Sequence, residues 1–108
     1  MRASAVIGVV CALAVGATGC GGAGRASGAG ALHRGRQIFA RSCAACHTLA
    51  GRERGAVGGD LAALRLSVAD LASFARVMPV RPRLSRADAL AVAEYIHSVA
   101  ASLRRRGG

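Results

Sequence analysis

The sequence predicts a small all-α domain of three to four helices. Ser67 and Ser85 each stand three residues before an aspartate, Asp70 or Asp88, which is the pattern of a helix N-terminal capping box. Apolar residues behind both serines recur at spacings of three and four, as they do on one face of an α-helix. No segment convincingly predicts a strand, so the sequence favours helices alone.

The first helix is predicted over residues 34–46, and a loop follows it. One helical stripe of this segment carries Gly35, Ile38, Phe39 and Ser42. Residues 50–60, AGRERGAVGGD, hold four glycines and four charged residues, a composition typical of a loop.

The second and third helices follow the two capping boxes. The second is predicted over about 68–76, with Leu71, Phe74 and Ala75 on one face. Pro79 and Pro82 end it and hold 79–83 extended. The third and longest helix is predicted over about 86–103. Its apolar stripe consists of Val92, Tyr95, Ile96, Val99 and Leu103.

Composition limits the class of protein. The 108 residues suffice for one small domain, and 15 arginines against five acids give a net charge of +10. The chain is too apolar for a disordered acidic tail, and no apolar run is long enough for an ordinary membrane span. Only three residues are aromatic, so the chain has few large side chains with which to build a core that is stable by itself. We therefore expect a bound group to fill part of the core.

The N-terminal region predicts export. Residues 1–19 begin with Met1 and Arg2, continue in a short apolar run and resemble a bacterial lipoprotein signal that ends before Cys20. The resemblance implies a lipid on the Cys20 sulfur, with a plain secretory signal or a retained anchor as alternatives. The other predicted parts are a flexible Gly/Ala/Ser linker over 20–32, the folded domain over 33–103 and a frayed basic tail over 104–108.

The central motif is Cys43-Ala44-Ala45-Cys46-His47. C-x-x-C-H is the attachment motif for c-type haem: two cysteines one helical turn apart bind the porphyrin edge, and the histidine binds the iron. A redox dithiol, half of a zinc site and a structural disulfide are the alternatives. The dithiol lacks its usual βαβ unit, and the zinc site lacks a second ligand pair. The motif therefore predicts one haem c bound covalently through Cys43 and Cys46.

Met78 is the candidate for the second iron ligand. It is the only methionine besides the initiator, and Pro79 behind it turns the chain out of the second helix. A thioether suits haem iron, although a methionine is more often a plain core residue. His33 and His97 are competing ligands, and we expect both to be surface residues.

These residues resemble the class I monohaem cytochromes c of bacterial electron transport over about 34–103. Gly35 and Phe39 match the first-helix pattern of that family, in which the glycine lets the last helix cross closely beside an aromatic, here Tyr95. The resemblance implies a small cytochrome c fold wrapped around the haem. Gly58-Gly59-Asp60-Leu61 resembles the family's Gly-Pro-x-Leu segment.

The resemblance also implies supporting residues around the haem. It assigns to Gly59 the carbonyl that accepts from the His47 ring, although proline is usual at that position. A haem propionate would bind Arg52, Arg54 or Arg65, a choice that the sequence leaves open.

The function expected from these residues is one-electron transfer, because His47 and Met78 together leave no open position on the iron. We expect an exported monomer that shuttles between respiratory complexes at the outer face of the cytoplasmic membrane, or in the periplasm. Its arginines would steer it to acidic redox partners. A peroxidase-like haem enzyme with a labile Met78 and a fixed subunit of an oxidase or dehydrogenase are the alternatives. Nucleic-acid binding is not expected.

Overall fold

The computed structural model describes residues 23–51 and 57–108, which form three α-helices. Helix α1 comprises Ala23–Ile38, α2 Val68–Val77 and α3 Arg86–Gly107. A π-helical segment, Phe39–Cys43, continues α1. The described residues contain no strand, and their one isolated β-type pairing joins Thr48 and Asp60. The predicted all-α class is thereby confirmed.

Serine caps begin α2 and α3 where the sequence predicts them. The Ser67 hydroxyl accepts from the Asp70 N–H at 3.1 Å, and the Ser85 hydroxyl accepts from the Asp88 N–H at 3.0 Å. Each bond satisfies a backbone donor that has no partner inside the helix. Both capping bonds join residues three apart, so the sequence alone reveals where these two helices begin.

Helix α1 differs from the predicted helix at both ends. It begins at Ala23 rather than Arg34, so most of the predicted flexible linker over 20–32 is helical. Gly28 and Gly30 are exposed, and a side chain at either would meet nothing within 4 Å. Neither glycine therefore packs against another part of the protein, and this stretch extends the part of α1 that packs on α3. At the other end the helical hydrogen bonding changes to π type and stops at Cys43 rather than at residue 46.

The C-terminal tail also differs from the prediction. Residues 104–106 are not frayed, because α3 continues through Gly107. Arginine is a good helix former, and positive side chains in a last turn interact favourably with the helix dipole. The tail is thus an exposed basic end of α3.

Helices α1 and α3 cross at Gly35. A Cβ on Gly35 would lie far inside contact distance of the Ala91 carbonyl oxygen and 2.7 Å from the Tyr95 Cβ. One turn further along, the rings of Phe39 and Tyr95 pack with centroids 6.1 Å apart and planes tilted by 55°. The missing side chain at Gly35 therefore sets how closely the two helices approach.

The core lies where α1 and α2 pack on α3. Its buried cluster consists of Ile38, Phe39, Leu49, Leu71, Ala91, Val92, Ala93 and Ile96. The predicted stripe of α3 supplies Val92 and Ile96, while Tyr95 and Val99 are half-buried beside them. Phe74, predicted on one face of α2 with Leu71 and Ala75, is 52% exposed. On the same face, Leu71 is buried and Ala75 is partly buried against the core.

An exposed ion pair joins α1 to the start of α3. The Arg34 guanidinium donates to the Asp88 carboxylate and holds the pKa of Asp88 below its usual value. The stability from this depressed pKa is present above the unfolded-state pKa and is lost as the pH falls through the folded-state value. Because solvent screens the pair, we expect its contribution to be small.

Several predicted features fall outside the described residues. These are the signal over 1–19, the lipidation site Cys20 and the candidate propionate ligands Arg52 and Arg54. In the part of the chain that the structure describes, no helix combines the length and apolarity that crossing a bilayer requires.

Replacing Gly35 with alanine should destabilise the fold by about 1–3 kcal/mol or more, because the new methyl group overpacks the helix crossing. The matched control is Gly30→Ala on the same helix, where the methyl group meets nothing within 4 Å. Better helix propensity should make Gly30→Ala neutral or stabilising by up to about 1 kcal/mol. Denaturant unfolding of both variants measures the difference, and equal effects would contradict the close crossing.

Candidate functional site

The Cys43–His47 motif lies in one turn at the end of the α1 and π-helical segment. Cys43 is the last π-helical residue, and its carbonyl accepts from the Cys46 N–H at 3.1 Å and from the His47 N–H at 2.9 Å. The two cysteines are not joined by a disulfide. Cys43 is half-buried, and burial raises the pKa of its thiol to about 11, whereas Cys46 is exposed. The Cys43 sulfur of the motif therefore belongs to a half-buried residue, and the Cys46 sulfur belongs to an exposed one.

An apolar cavity of about 370 Å³ opens beside this motif. Its size falls in the range of roughly 300–1,000 Å³ that is usual for small-molecule and cofactor sites. Both His47 and Met78 line it, so the structure brings these two predicted iron ligands to one cavity. The cavity is lined by Cys43, His47, Leu61, Leu64, Leu66, Leu71, Phe74, Ala75, Met78, Val92 and Ile96.

A second cavity of about 90 Å³ lies on the Cys46 side of the motif. Cys43, Cys46, His47 and Met78 all line it, so both cavities belong to one site. The remaining lining residues are Ser42, Ala75, Pro79, Val80 and Leu84. The extended segment after α2 therefore forms one wall of the site.

Met78 reaches the cavity because α2 ends at it. It is the C-cap of α2, with an extended backbone at φ −63° and ψ 145°. Pro79 disfavours helical backbone in the preceding residue, which explains this conformation. The Met78 carbonyl then accepts from the Val80 N–H at 2.8 Å, so the chain turns immediately after the methionine. The half-buried side chain of Met78 therefore enters the cavity wall from the end of α2.

The imidazole of His47 is held by backbone from the second half of the loop. Its Nδ1 lies 3.0 Å from the Gly59 carbonyl oxygen, which is the contact that the resemblance assigns to Gly59. The carbonyl accepts an Nδ1 proton, which leaves the other ring nitrogen, Nε2, free to bind a metal.

Gly58 is a functional residue to which the sequence assigns no role. A Cβ at Gly58 would lie 2.5 Å from His47 Nδ1 and 3.0 Å from the Cys46 carbonyl oxygen. The Gly58 N–H also donates to that carbonyl at 2.6 Å. The only sequence signal for Gly58 is its place in the Gly58–Leu61 segment. Its contact with His47 joins residues eleven apart in the chain, so local sequence patterns do not reveal it. Backbone at Gly58 therefore forms the surface against which the imidazole rests.

The other candidate ligands lie apart from both cavities. His33 is exposed and contacts Gln37 within α1, while His97 is half-buried on α3, and neither lines either cavity. Arg65, the candidate propionate ligand that the structure describes, is exposed between the cavity residues Leu64 and Leu66. Across residues 23–51 and 57–108, no three His, Cys, Asp or Glu side chains converge as a zinc-type site would require.

Comparison with known proteins identifies one family. Residues 30–96, more than half of the chain, match the family described as cytochrome c oxidase, cbb3-type, subunit III. No curated protein and no solved structure gives a significant match. The matched range contains the C-x-x-C-H motif, Gly58–Leu61 and Met78.

Substituting Gly58 with alanine should displace the His47 ring, because the added methyl group would overlap it. Protein loaded with the haem that the motif predicts should then show an altered axial-ligand spectrum and unfold more easily than the parent by about 1–3 kcal/mol. The neighbouring Gly59→Ala is the control, since a Cβ there meets nothing within 4 Å. Identical spectra for the two variants would mean that Gly58 does not constrain His47.

Proposed function

The chain belongs to the cytochrome c family described as cytochrome c oxidase, cbb3-type, subunit III, and we propose that it is a mobile one-electron carrier with His47 and Met78 as its iron ligands. As a member of this family it transfers electrons by means of one haem c, bound covalently at the Cys43 and Cys46 of its C-x-x-C motif. The finer proposal depends above all on one observation, the convergence of His47 and Met78 on one apolar cavity.

The residues around the cavity fit this group. Its walls are almost wholly apolar, as a porphyrin face requires, and the attachment motif stands at its edge. Leu64 and Phe74 are 43% and 52% exposed, yet both line the cavity, so a bound group would cover them. A porphyrin adds apolar area that the three aromatic residues do not supply, at roughly 25 cal/mol per Å² buried.

Bound haem supplies a single metal centre that alternates between ferric and ferrous iron. His47, oriented by Gly59, would bind the iron through Nε2, and the Met78 sulfur would supply the second protein ligand. Histidine and methionine together raise the reduction potential and leave no position for an external molecule. These roles support electron transfer rather than catalysis on a bound substrate.

Replacing Met78 with alanine should open one iron position. The parent, matured with the c-haem assembly machinery, should show the weak long-wavelength sulfur–iron band when ferric and should ignore carbon monoxide when ferrous. Met78→Ala should lose the band and bind carbon monoxide readily. His97→Ala is the control and should behave as the parent, because His97 lines neither cavity. A high-spin parent that binds carbon monoxide would favour the peroxidase-like alternative.

A basic rim beside the site supports acidic redox partners. Arg81 and Arg83 are exposed within the segment whose residues Val80 and Leu84 line the second cavity. Their charge would attract an acidic surface to the side of the domain where Cys46 is exposed. Arg104 and Arg105 lie at the far end of α3, at least eight residues beyond the cavity residue Ile96, or about 12 Å along the helix.

This placement predicts that Arg81 and Arg83 affect the rate of electron transfer more than Arg104 and Arg105 do. The test uses hexacyanoferrate(III), an anionic electron acceptor. Replacing Arg81 and Arg83 with glutamine should slow oxidation of the ferrous protein severalfold at low ionic strength, since nearby charge raises the encounter rate. Replacing Arg104 and Arg105 with glutamine removes the same charge and should slow this oxidation less. Salt should reduce the difference between the pairs. Equal slowing would show that only net charge matters.

Export and anchoring complete the proposal. The signal-like residues 1–19 and Cys20 support a lipid-anchored monomer at the outer face of the cytoplasmic membrane, or in the periplasm if Cys20 carries no lipid. A lipid would confine the carrier to diffusion along the membrane beside its partners. Mass spectrometry of the mature N-terminus distinguishes a lipidated Cys20 from a plain cleavage product.

A fixed subunit of a larger oxidase is the second candidate, favoured by the description of the matched family. Native electrophoresis of membranes solubilised in a mild detergent, followed by haem staining, separates the two. A carrier should migrate at its own small size, whereas a fixed subunit should comigrate with a large assembly.

A further inference from the structure

The loop that holds His47 lacks the rigid residue expected in it. Gly59 offers the carbonyl that the His47 ring contacts at 3.0 Å, and it occupies the position where the resemblance places a proline. Gly58, before it, is also a glycine. Two successive glycines have the widest conformational freedom that a backbone allows. Something other than these residues must therefore keep the carbonyl in place.

Asp60 is the first side chain after this glycine pair, and it ties the loop on both sides. Its Oδ1 accepts from the Ala50 N–H at 2.8 Å and from the Ala62 N–H at 3.3 Å. The backbone around it is paired as well, since the Leu61 N–H donates to the Thr48 carbonyl at 2.9 Å. One carboxylate thus joins the segment that follows His47 to the segment that follows Gly59.

The conformation of Ala50 indicates that this tie constrains the chain. Ala50 has φ 64°, in the left-handed region that residues with a side chain rarely adopt. A residue stays in this costly conformation only where the surrounding structure holds it there. The bond from the Ala50 N–H to a carboxylate oxygen is a charge-assisted one, among the stronger hydrogen bonds in proteins.

We propose that Asp60 is the positioning residue for His47. Its carboxylate fixes the Gly59 carbonyl on His47 Nδ1 and so supplies the constraint that a proline ring would otherwise give. The inference depends on the proposed binding of the iron by His47. A firm bond to Nδ1 makes the imidazole a more basic ligand, which favours ferric iron and lowers the reduction potential.

Three variants separate the constraint from the charge. Asp60→Ala removes both, whereas Asp60→Asn removes the charge but keeps an oxygen that can accept from Ala50. The third combines Asp60→Ala with Gly59→Pro, which restores rigidity without a carboxylate. A Cβ at Gly59 meets nothing within 4 Å, so the packing at this position admits a side-chain carbon.

The first readout is the exchange rate of the His47 Nδ1 proton in the ferrous haem protein, followed by NMR in heavy water. The amide proton of Ile96 in the buried face of α3 is the internal control, because global loosening would speed both. The second readout is the reduction potential, which a purely structural defect far from the ring would not move.

The proposal expects Asp60→Ala to speed Nδ1 exchange on the order of tenfold relative to Ile96, as loss of a hydrogen bond to a charged group implies. It also expects the potential to rise. Asp60→Asn should exchange like the parent, with any rise in potential due to charge alone. The Gly59→Pro double variant should recover slow exchange.

When Asp60→Ala matures, either of two exchange results would overturn the proposal. Unchanged relative exchange in Asp60→Ala, or no recovery in the double variant, would show that Asp60 does not position the ring. If Asp60→Ala fails to mature, the double variant decides: maturation with slow exchange supports the proposal, and failure to mature counts against it. A parent protein without porphyrin-shifted His47 resonances would instead refute iron binding by His47, and this inference with it.

Discussion

The close crossing of α1 and α3 at Gly35 is the constraint on which the rest of the structure depends. Because the position has no side chain, the backbone of α1 approaches the Ala91 carbonyl, and the Phe39 ring packs on Tyr95 one turn later. The attachment motif begins four residues after Phe39, so the crossing also determines where Cys43 and His47 stand relative to α3. A few tenths of an ångström at this point are transmitted to the site, since packed interiors do not deform freely.

The apolar cavity lies within the core of the domain. Its walls come from α2, α3 and the loop between the motif and α2, so they are brought together only in the folded chain. Leu71, Val92 and Ile96 belong both to the buried core and to the cavity wall. Haem bound in this cavity would cover core side chains, so we expect cofactor attachment to add to folding stability.

Backbone rather than side chains makes most of the contacts that orient His47. Gly58 forms the surface behind the ring, and Gly59 provides the acceptor for Nδ1. The absent side chain at Gly58 allows the close approach to the ring, while two successive glycines lower the stiffness of the loop. The Asp60 carboxylate and the pairing of Leu61 with Thr48 offset that loss by joining the two halves of the loop. At the end of α2, Pro79 favours the extended conformation of Met78 directly.

The sequence by itself determined the features that depend on near neighbours in the chain. The caps at Ser67 and Ser85, the end of α2 at Met78 and the cysteine spacing each involve residues within four positions of one another. Only the tertiary structure decided the roles of Gly58 and Asp60, because their contacts join residues ten or more apart. It also decided the extent of α1 and α3. Helical backbone continues from the packed parts of α1 and α3 into the predicted linker and tail, which composition alone does not indicate.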